Sequence, residues 1–273
     1  MSEVLISIES PEGSAAQMPE PRFDAAVQRF SSADFERASD RPLAGQSFAE
    51  LMKPAAGSFD LRTVESRTTR EDALYVICKQ AIDIFISLAA ILILSPIILL
   101  AALAIKLYDG GPVLFSQARV GKKGREFRCF KFRSMIVNAE AVQSALIDQN
   151  EHSDQRTFKI MNDPRVTPPG RILRRFSIDE LPQIINILRG DMSIVGPRPP
   201  LRREVALYTA YDFQRLAVKP GLTCIWQVSG RSRLAFPNQV RMDLEYIRNR
   251  SLKTDLAIIL KTIPAVLSGD GAA

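Results

Sequence analysis

The stretch Arg174-Arg175-Phe176-Ser177-Ile178-Asp179-Glu180-Leu181-Pro182 sets two adjacent carboxylates just after a basic cluster that also includes Arg171. Arginine forks match phosphate oxygens, and neighbouring carboxylates can divide labour, one as nucleophile and one on a hard cation such as Mg²⁺. Pro182 suits the first turn of a helix because it has no N–H to lose there. That places Asp179 at or near an N-cap, where free N–H groups can also bind phosphate. A bland explanation weighs equally: Asp at a cap and Glu in the first turn are ordinary stabilisers worth about 0.5–2 kcal/mol.

A second basic element is Gly196-Pro197-Arg198-Pro199-Pro200, in which prolines stiffen the surroundings of Arg198 and lower the entropy lost on gripping an anion. Lys219-Pro220-Gly221 and Gln227-Val228-Ser229-Gly230-Arg231, with Trp226 alongside, are turn-like and basic and suit a sugar or base pocket. Other chemistries are disfavoured. The single histidine, His152, sits in a polar stretch that reads as a surface loop, so a Ser-His-Asp triad is not expected. Cys78, Cys129 and Cys224 are scattered, with no CxxC, which fits a reducing compartment rather than a zinc site or disulfide framework. Gly121-Lys122-Lys123-Gly124 is too short for a Walker A loop, and no GxGxxG is present.

The elements that must position these residues divide unevenly along the 273-residue chain. Residues 1–73 carry a net charge of −5 and residues 74–273 a net of +11, giving +6 overall. The basic part should face something anionic, such as phospholipid or a nucleotide. Residues 1–72 are rich in Ser, Pro, Glu and Ala and read as a disordered cytosolic tail without a signal peptide. Residues 73–273 form the expected domain. It opens on Ile84–Ile105, a 22-residue run without charge, long enough to cross a bilayer core of about 30 Å. Ser95-Pro96 interrupts it, and basic residues lie on both flanks, whereas a simple span favours one. A re-entrant helix over about 79–107, broken at Ser95-Pro96 with the Ser95 hydroxyl satisfying a freed carbonyl, is favoured over a kinked span.

Farther along, Val113–Phe115 and Glu126–Phe132 suggest a short β-hairpin, and 136–158 a polar helix or loop. Leu181, Ile184, Ile185 and Leu188 have the spacing of an amphipathic helix. Leu201–Val218 and Leu256–Leu267 are mixed or apolar, and both are expected to lie in a membrane interface rather than face a core. The expected fold is mixed and mostly α.

In order, these pieces resemble the polyprenyl-phosphate hexose-1-phosphate transferases, small monotopic phosphoglycosyl transferases of bacterial surface-polysaccharide pathways. The likeness rests on Lys79…Asp83, Ser95-Pro96, Phe115-Ser-Gln-Ala-Arg119-Val-Gly121 and Lys131-Phe132-Arg133-Ser134-Met135. It continues through Ser177-Ile-Asp179-Glu180-Leu-Pro182-Gln183, Gly196-Pro197-Arg198-Pro199, Lys219-Pro220-Gly221 and Trp226-Gln227-Val-Ser-Gly230-Arg231. Gln80, Phe176 and Pro200 depart from the family pattern without removing a catalytic group. The resemblance implies that Asp179 attacks the β-phosphate of a UDP-sugar, with glucose or galactose as the family-level sugar. UMP leaves, and undecaprenyl phosphate takes the sugar phosphate from the aspartate, a first membrane step of exopolysaccharide synthesis. It also implies that Glu180 holds Mg²⁺, that Arg174 and Arg198 bind phosphate, and that Lys131, Arg133, Gln227 and Arg231 bind substrate. The implied place is the cytoplasmic face of the bacterial inner membrane, in contact with membrane lipid; oligomeric state stays open. Two other classes compete. A non-enzymatic basic membrane anchor would not need Asp179 and Glu180 together. A membrane-tethered nucleic-acid binder lacks any recognition motif, so nucleic acid is not an expected partner.

Overall fold

The computed structural model describes residues 70–143, 146, 154, 156, 160, 162–231 and 234–269. The tail expected over 1–72 lies almost wholly outside the described residues, as do His152 and most of 136–158. Helix α1 spans Arg70–Asp109 and takes in the whole apolar run, with Pro96 inside it. Proline has no N–H for the carbonyl four residues back, which here belongs to Leu92. The Ser95 hydroxyl donates to that Leu92 carbonyl at 2.9 Å. The expected role of Ser95 is therefore present, while the helical run continues through Pro96.

One face of α1 meets the rest of the domain. Its buried or half-buried positions Asp83, Ser87, Ala90, Leu94, Ile98, Ala101 and Ile105 recur at intervals of three and four, the period of a single helix face. Most of the remaining surface is exposed and apolar, with Leu92, Ile93, Leu99 and Leu100 among the most open. The helix is long and apolar enough to cross a membrane by length and composition.

Both ends of α1 are fastened to the same body. Near its start, the Tyr75 hydroxyl and Lys79 Nζ each donate to Asp255, both at 2.9 Å, and Asp83 accepts from the Ser193 hydroxyl at 2.7 Å. At its end, Arg133 donates to both carboxylate oxygens of Asp109 and, through Nε, to the Pro112 carbonyl.

Strands β1 (Leu114–Val120) and β2 (Glu126–Phe132) form the expected hairpin, with Leu114 opposite Phe132 and Val120 opposite Glu126. The first strand is longer than the sequence reading gave it. Lys123 takes a left-handed conformation (φ 57) in the turn. After α2 (Ala139–Gln143) comes α3 (Pro168–Arg175), capped by the Thr167 hydroxyl accepting from Gly170 N. A 3₁₀ segment, Ile178–Gln183, leads into α4 (Ile184–Leu188). Then follow β3 (Ser193–Val195), α5 (Arg202–Val205), α6 (Ala210–Phe213), β4 (Gly221–Thr223) and α7 (Ile225–Ser229). Helices α8 (Phe236–Asn249) and α9 (Leu252–Ser268) complete the described fold. Strands β3 and β4 pair in parallel.

Two helix expectations need correction. The segment Leu201–Val218 is broken into short turns whose Val205, Tyr208, Phe213 and Leu216 sit in a core with Val120, Phe236, Val240 and Leu244. It faces protein, because Arg215 and Asp243 pair beneath it and hold it down. Around α4, Ile184 and Ile187 are buried while Ile185 and Leu188 are exposed, so the supposed apolar stripe is split between two faces. The inward face of α4 is taken by Ile184, Asn186 and Ile187, which leaves Ile185 and Leu188 outward. By contrast, α9 does carry an exposed apolar row, Leu256, Leu260, Ile263 and Leu267.

Asn186 ties α4 to the hairpin. Its Nδ2 donates to the Arg128 carbonyl at 2.7 Å, and its Oδ1 accepts from Phe130 N at 3.0 Å, so a side chain completes the edge of β2. Asn186 is fully buried. Asn186→Leu strands two backbone groups and is expected to cost about 2–4 kcal/mol, read by chemical denaturation in a membrane mimic. A loss under about 0.5 kcal/mol, roughly half a hydrogen bond, would remove this clip from the account.

Candidate functional site

Asp179 and Glu180 lie in the first turn of the 3₁₀ segment, two residues inside it. The cap position belongs to Ser177, which is left-handed (φ 53) and makes no side-chain cap bond. Asp179 therefore lies near the N-cap, two residues past it, and the cap itself is Ser177. The segment rests on α1: Ile178 and Leu181 pack against the cluster of Ala101, Ile105, Phe132 and Leu173. Asp179 is thereby held in a buried position at the edge of apolar surface.

Strand β2 supplies the nearest cation. Lys131 Nζ donates to Glu180 Oε1 at 2.6 Å. The two carboxyls are consequently driven apart in acidity. Burial, opposed by Lys131 and reinforced by Glu180, raises the Asp179 carboxyl well above its ordinary value. Glu180 pays the same burial cost, but Lys131 and then Arg198 outweigh it and hold that carboxyl low. Paired titratable groups pushed in opposite directions are a recurring mark of catalytic sites.

Arg198 projects as an exposed side chain between the buried Pro197 and Pro199. The turn is held by backbone and by one residue to which the sequence reading gave no role. Arg119, buried, donates from Nη1 to the Pro199 carbonyl at 2.9 Å and from Nη2 to Gln117 Oε1 at 3.0 Å. Val120 N donates to the Pro200 carbonyl at 2.9 Å. Arg119 stands in the Phe115–Gly121 motif, so the signal was present; what was missing was the fold that carries β1 to the proline turn. On the other side, Gly196 N donates to the Thr223 carbonyl at 3.0 Å and Gly221 N to the Pro197 carbonyl at 2.9 Å.

A cavity of about 850 Å³ joins these groups. Lys131, Arg174, Asp179, Glu180, Arg198, Gln227 and Arg231 all line it. Seven of the eight expected catalytic and binding residues are thus brought together. Arg231 is partly committed, donating from Nη2 to the Ala265 carbonyl of α9 at 2.5 Å. The eighth, Arg133, does not line the cavity; its fork is spent on Asp109 and the Pro112 carbonyl at the end of α1. Its neighbour two places earlier, Lys131, takes the site-facing role.

As a donor set for a metal, the site offers two carboxylates. Among the described residues, no group of three or more His, Cys, Asp or Glu gathers. That fits Mg²⁺ in its usual mode, with one or two carboxylates, waters and substrate phosphate oxygens, and does not fit a closed protein cage.

A buried Asp179 and a half-buried, Lys131-paired Glu180 share one cavity with arginines that match phosphate, beside a long apolar helix, which is the arrangement of a group-transfer enzyme. The chain belongs to the bacterial sugar transferase family, whose model matches residues 74–269. It is 42% identical over 199 residues to the exopolysaccharide production protein ExoY of Sinorhizobium fredii, covering 72% of this chain and 88% of that protein. Over 197 residues it is 41% identical to the undecaprenyl-phosphate galactose phosphotransferase of Salmonella typhimurium, covering 71% of this chain and 41% of that protein. A UDP-N-acetylgalactosamine-undecaprenyl-phosphate N-acetylgalactosaminephosphotransferase of Aeromonas hydrophila is 40% identical over 209 residues, 73% of this chain and 46% of that protein. The chain thus spans most of ExoY and less than half of the other two.

Proposed function

We propose that this chain transfers a hexose 1-phosphate from a UDP-sugar to undecaprenyl phosphate and releases UMP. The observation that carries the reading is one cavity holding a buried Asp179, a Lys131-paired Glu180 and the arginines Arg174 and Arg198, with apolar helices as its other wall. A carboxylate oxygen of Asp179 attacks the β-phosphorus of the donor. The bond to the bridging oxygen breaks, its electron pair leaves with UMP, and an aspartyl-phosphosugar remains. An oxygen of the lipid phosphate then attacks the same phosphorus and frees Asp179. Arg174 and Arg198 neutralise the diphosphate, and Gln227 and Arg231 contact the nucleotide or sugar. Glu180 would hold Mg²⁺, which when bound would supply further charge neutralisation. Names of the relatives place galactose and N-acetylgalactosamine among donors of related proteins, which supports a hexose donor here.

The site belongs at the cytoplasmic face of the bacterial inner membrane, where a soluble donor meets a lipid acceptor. The two fastened ends of α1 support a re-entrant course. A straight helix of 40 residues runs roughly 60 Å, about twice the bilayer core. A full span would put its two ends on opposite sides, yet Asp255 holds one end and Arg133 the other, both within one body.

The test is UMP release by the purified full chain in a membrane mimic with Mg²⁺, undecaprenyl phosphate and a panel of UDP-sugars. Release with at least one hexose donor and parallel-line, ping-pong initial rates are expected. Intersecting lines would replace the covalent route by direct transfer, and no release with any donor would overturn the reading.

A further inference from the structure

Helices α1 and α9 begin side by side, because Tyr75 and Lys79 of α1 both donate to Asp255 in the first turn of α9. Farther on, Ile86 of α1 and Ile259 of α9 pack against one hydrophobic cluster that includes Ile258. Beyond that both continue as walls of the catalytic cavity: Ala90, Leu94 and Ile97 from α1, and Ile259, Ile263 and Val266 from α9. These six side chains are apolar, and the polar one that α9 adds to the wall, Thr262, has its hydroxyl engaged with the Thr223 hydroxyl and the Ile258 carbonyl, both at 2.8 Å. At the mouth of the cleft Ile97, Ile263 and Leu267 are exposed, so it opens onto the same apolar surface that the two helices present outward. The charged end of the same cavity holds Asp179, Glu180, Lys131 and Arg198.

We infer that the cleft between α1 and α9 is the binding site for the first isoprene units of the acceptor lipid, so that α9 determines which lipid phosphates reach Asp179. The inference rests on the reaction proposed above. The occupant follows from the gradient of chemistry within one cavity. Its ligand must present an anion at the carboxylate end and a water-insoluble chain at the other, and an uncharged sugar or a nucleotide offers no such chain. Size limits how much of the chain is held. A volume of about 850 Å³ is that of a pocket for one drug-sized ligand, already shared with donor phosphates, so only the head-proximal units fit and the remainder of a long chain leaves through the open mouth. Burial of each additional methylene contributes about 0.8 kcal/mol, so a few isoprene units suffice to select a prenyl chain over a short alkyl phosphate. The Arg231 bond to the Ala265 carbonyl ties this wall to the polar side, which couples the position of α9 to the donor pocket.

Two measurements on the full chain in nanodiscs test the assignment. First, Ile263→Trp on α9 and Leu94→Trp on α1, which fill the cleft from opposite walls, are each expected to raise the KM for undecaprenyl phosphate tenfold or more. The KM for the UDP-sugar should stay within about twofold. Second, a photoreactive prenyl phosphate carrying its diazirine in the first isoprene unit should label residues 259–267 of the wild-type protein. Excess undecaprenyl phosphate should abolish that label, and excess phosphatidylglycerol should not. Equal competition by phosphatidylglycerol would mean that ordinary bilayer lipid fills the cleft, and the inference would be overturned. It would be overturned equally by Trp variants that keep the wild-type lipid KM. The labelling does not depend on turnover. A chain that binds prenyl phosphate in the cleft but releases no UMP would therefore count against the reaction and not against the subsite.

Discussion

Asp179→Asn is expected to cut UMP release by on the order of 10⁴-fold or more while the protein stays folded and membrane-bound. In the covalent route the aspartate is the atom donor to phosphorus, and an amide cannot take its place. At about 1.36 kcal/mol per decade, that loss corresponds to roughly 5 kcal/mol of barrier. Stability gives the second readout. Burial, against the pull of Lys131 and with the push of Glu180, lifts the Asp179 carboxyl to about 6. A carboxyl raised in the folded state weakens folding above its folded value, and the penalty fades as pH falls toward the ordinary value near 4. The asparagine variant is therefore expected to melt no lower than wild type at neutral pH. Between roughly pH 7 and roughly pH 5 the wild type should gain in Tm relative to the variant. A structural carboxylate would show the opposite, with a variant that melts lower and keeps its turnover. Turnover within about tenfold of wild type would remove Asp179 from the nucleophile's place.

The second large effect is expected at a position with no functional group. Gly221→Ala should destabilise the protein by about 3 kcal/mol or more and lower Tm by on the order of 10 °C. A Cβ at Gly221 would land on the backbone of Gly196, and the listless freedom of a long side chain is not there to absorb it. The parallel pairing of β3 with β4 must open, and with it the turn that holds Arg198 toward Glu180. Activity should fall further than stability alone accounts for, which is read as a kcat/KM loss at a temperature where the variant is still fully folded. Gly110→Ala is the control. Its φ of +71 makes alanine strained by about 1–2 kcal/mol, but no atom lies within 4 Å of the added carbon. Equal effects at the two glycines would mean that backbone strain, and not the close approach, governs Gly221.

The parts of this site that the sequence announces are those where local chemistry decides. Asp179, Glu180 and Arg198 stand out because charge and proline at short spacing have few other uses. The hairpin is legible from two apolar strands around Gly121–Gly124. Ser95 could be matched to its carbonyl because the consequence of Pro96 is purely local. Arg133 and Arg119 show where such reading stops. Both are arginines in motifs of the family pattern, and nothing nearby says which one faces substrate. Arg133 is turned away by Asp109, 24 residues earlier, and Arg119 is recruited by Pro199, 80 residues later. The segment Leu201–Val218 fails for the same reason: an apolar pattern does not say whether lipid or a distant helix such as α8 will cover it. Asp179 is near an N-cap as expected, but the cap itself falls two residues earlier, at a Ser177 whose left-handed turn composition does not encode.

The packing of Ile178 and Leu181 on Ala101 and Ile105 also sets an order of events during synthesis. Helix α1 leaves the ribosome 70 residues before Asp179 does, since it ends at residue 109. At translation rates of about 5–20 residues per second, that is a lead on the order of ten seconds. In that interval the face of α1 that carries Ala101 and Ile105 is complete and still uncovered. The segment carrying Asp179 and Glu180 is then laid onto a surface already made, so its two carboxylates take their places last.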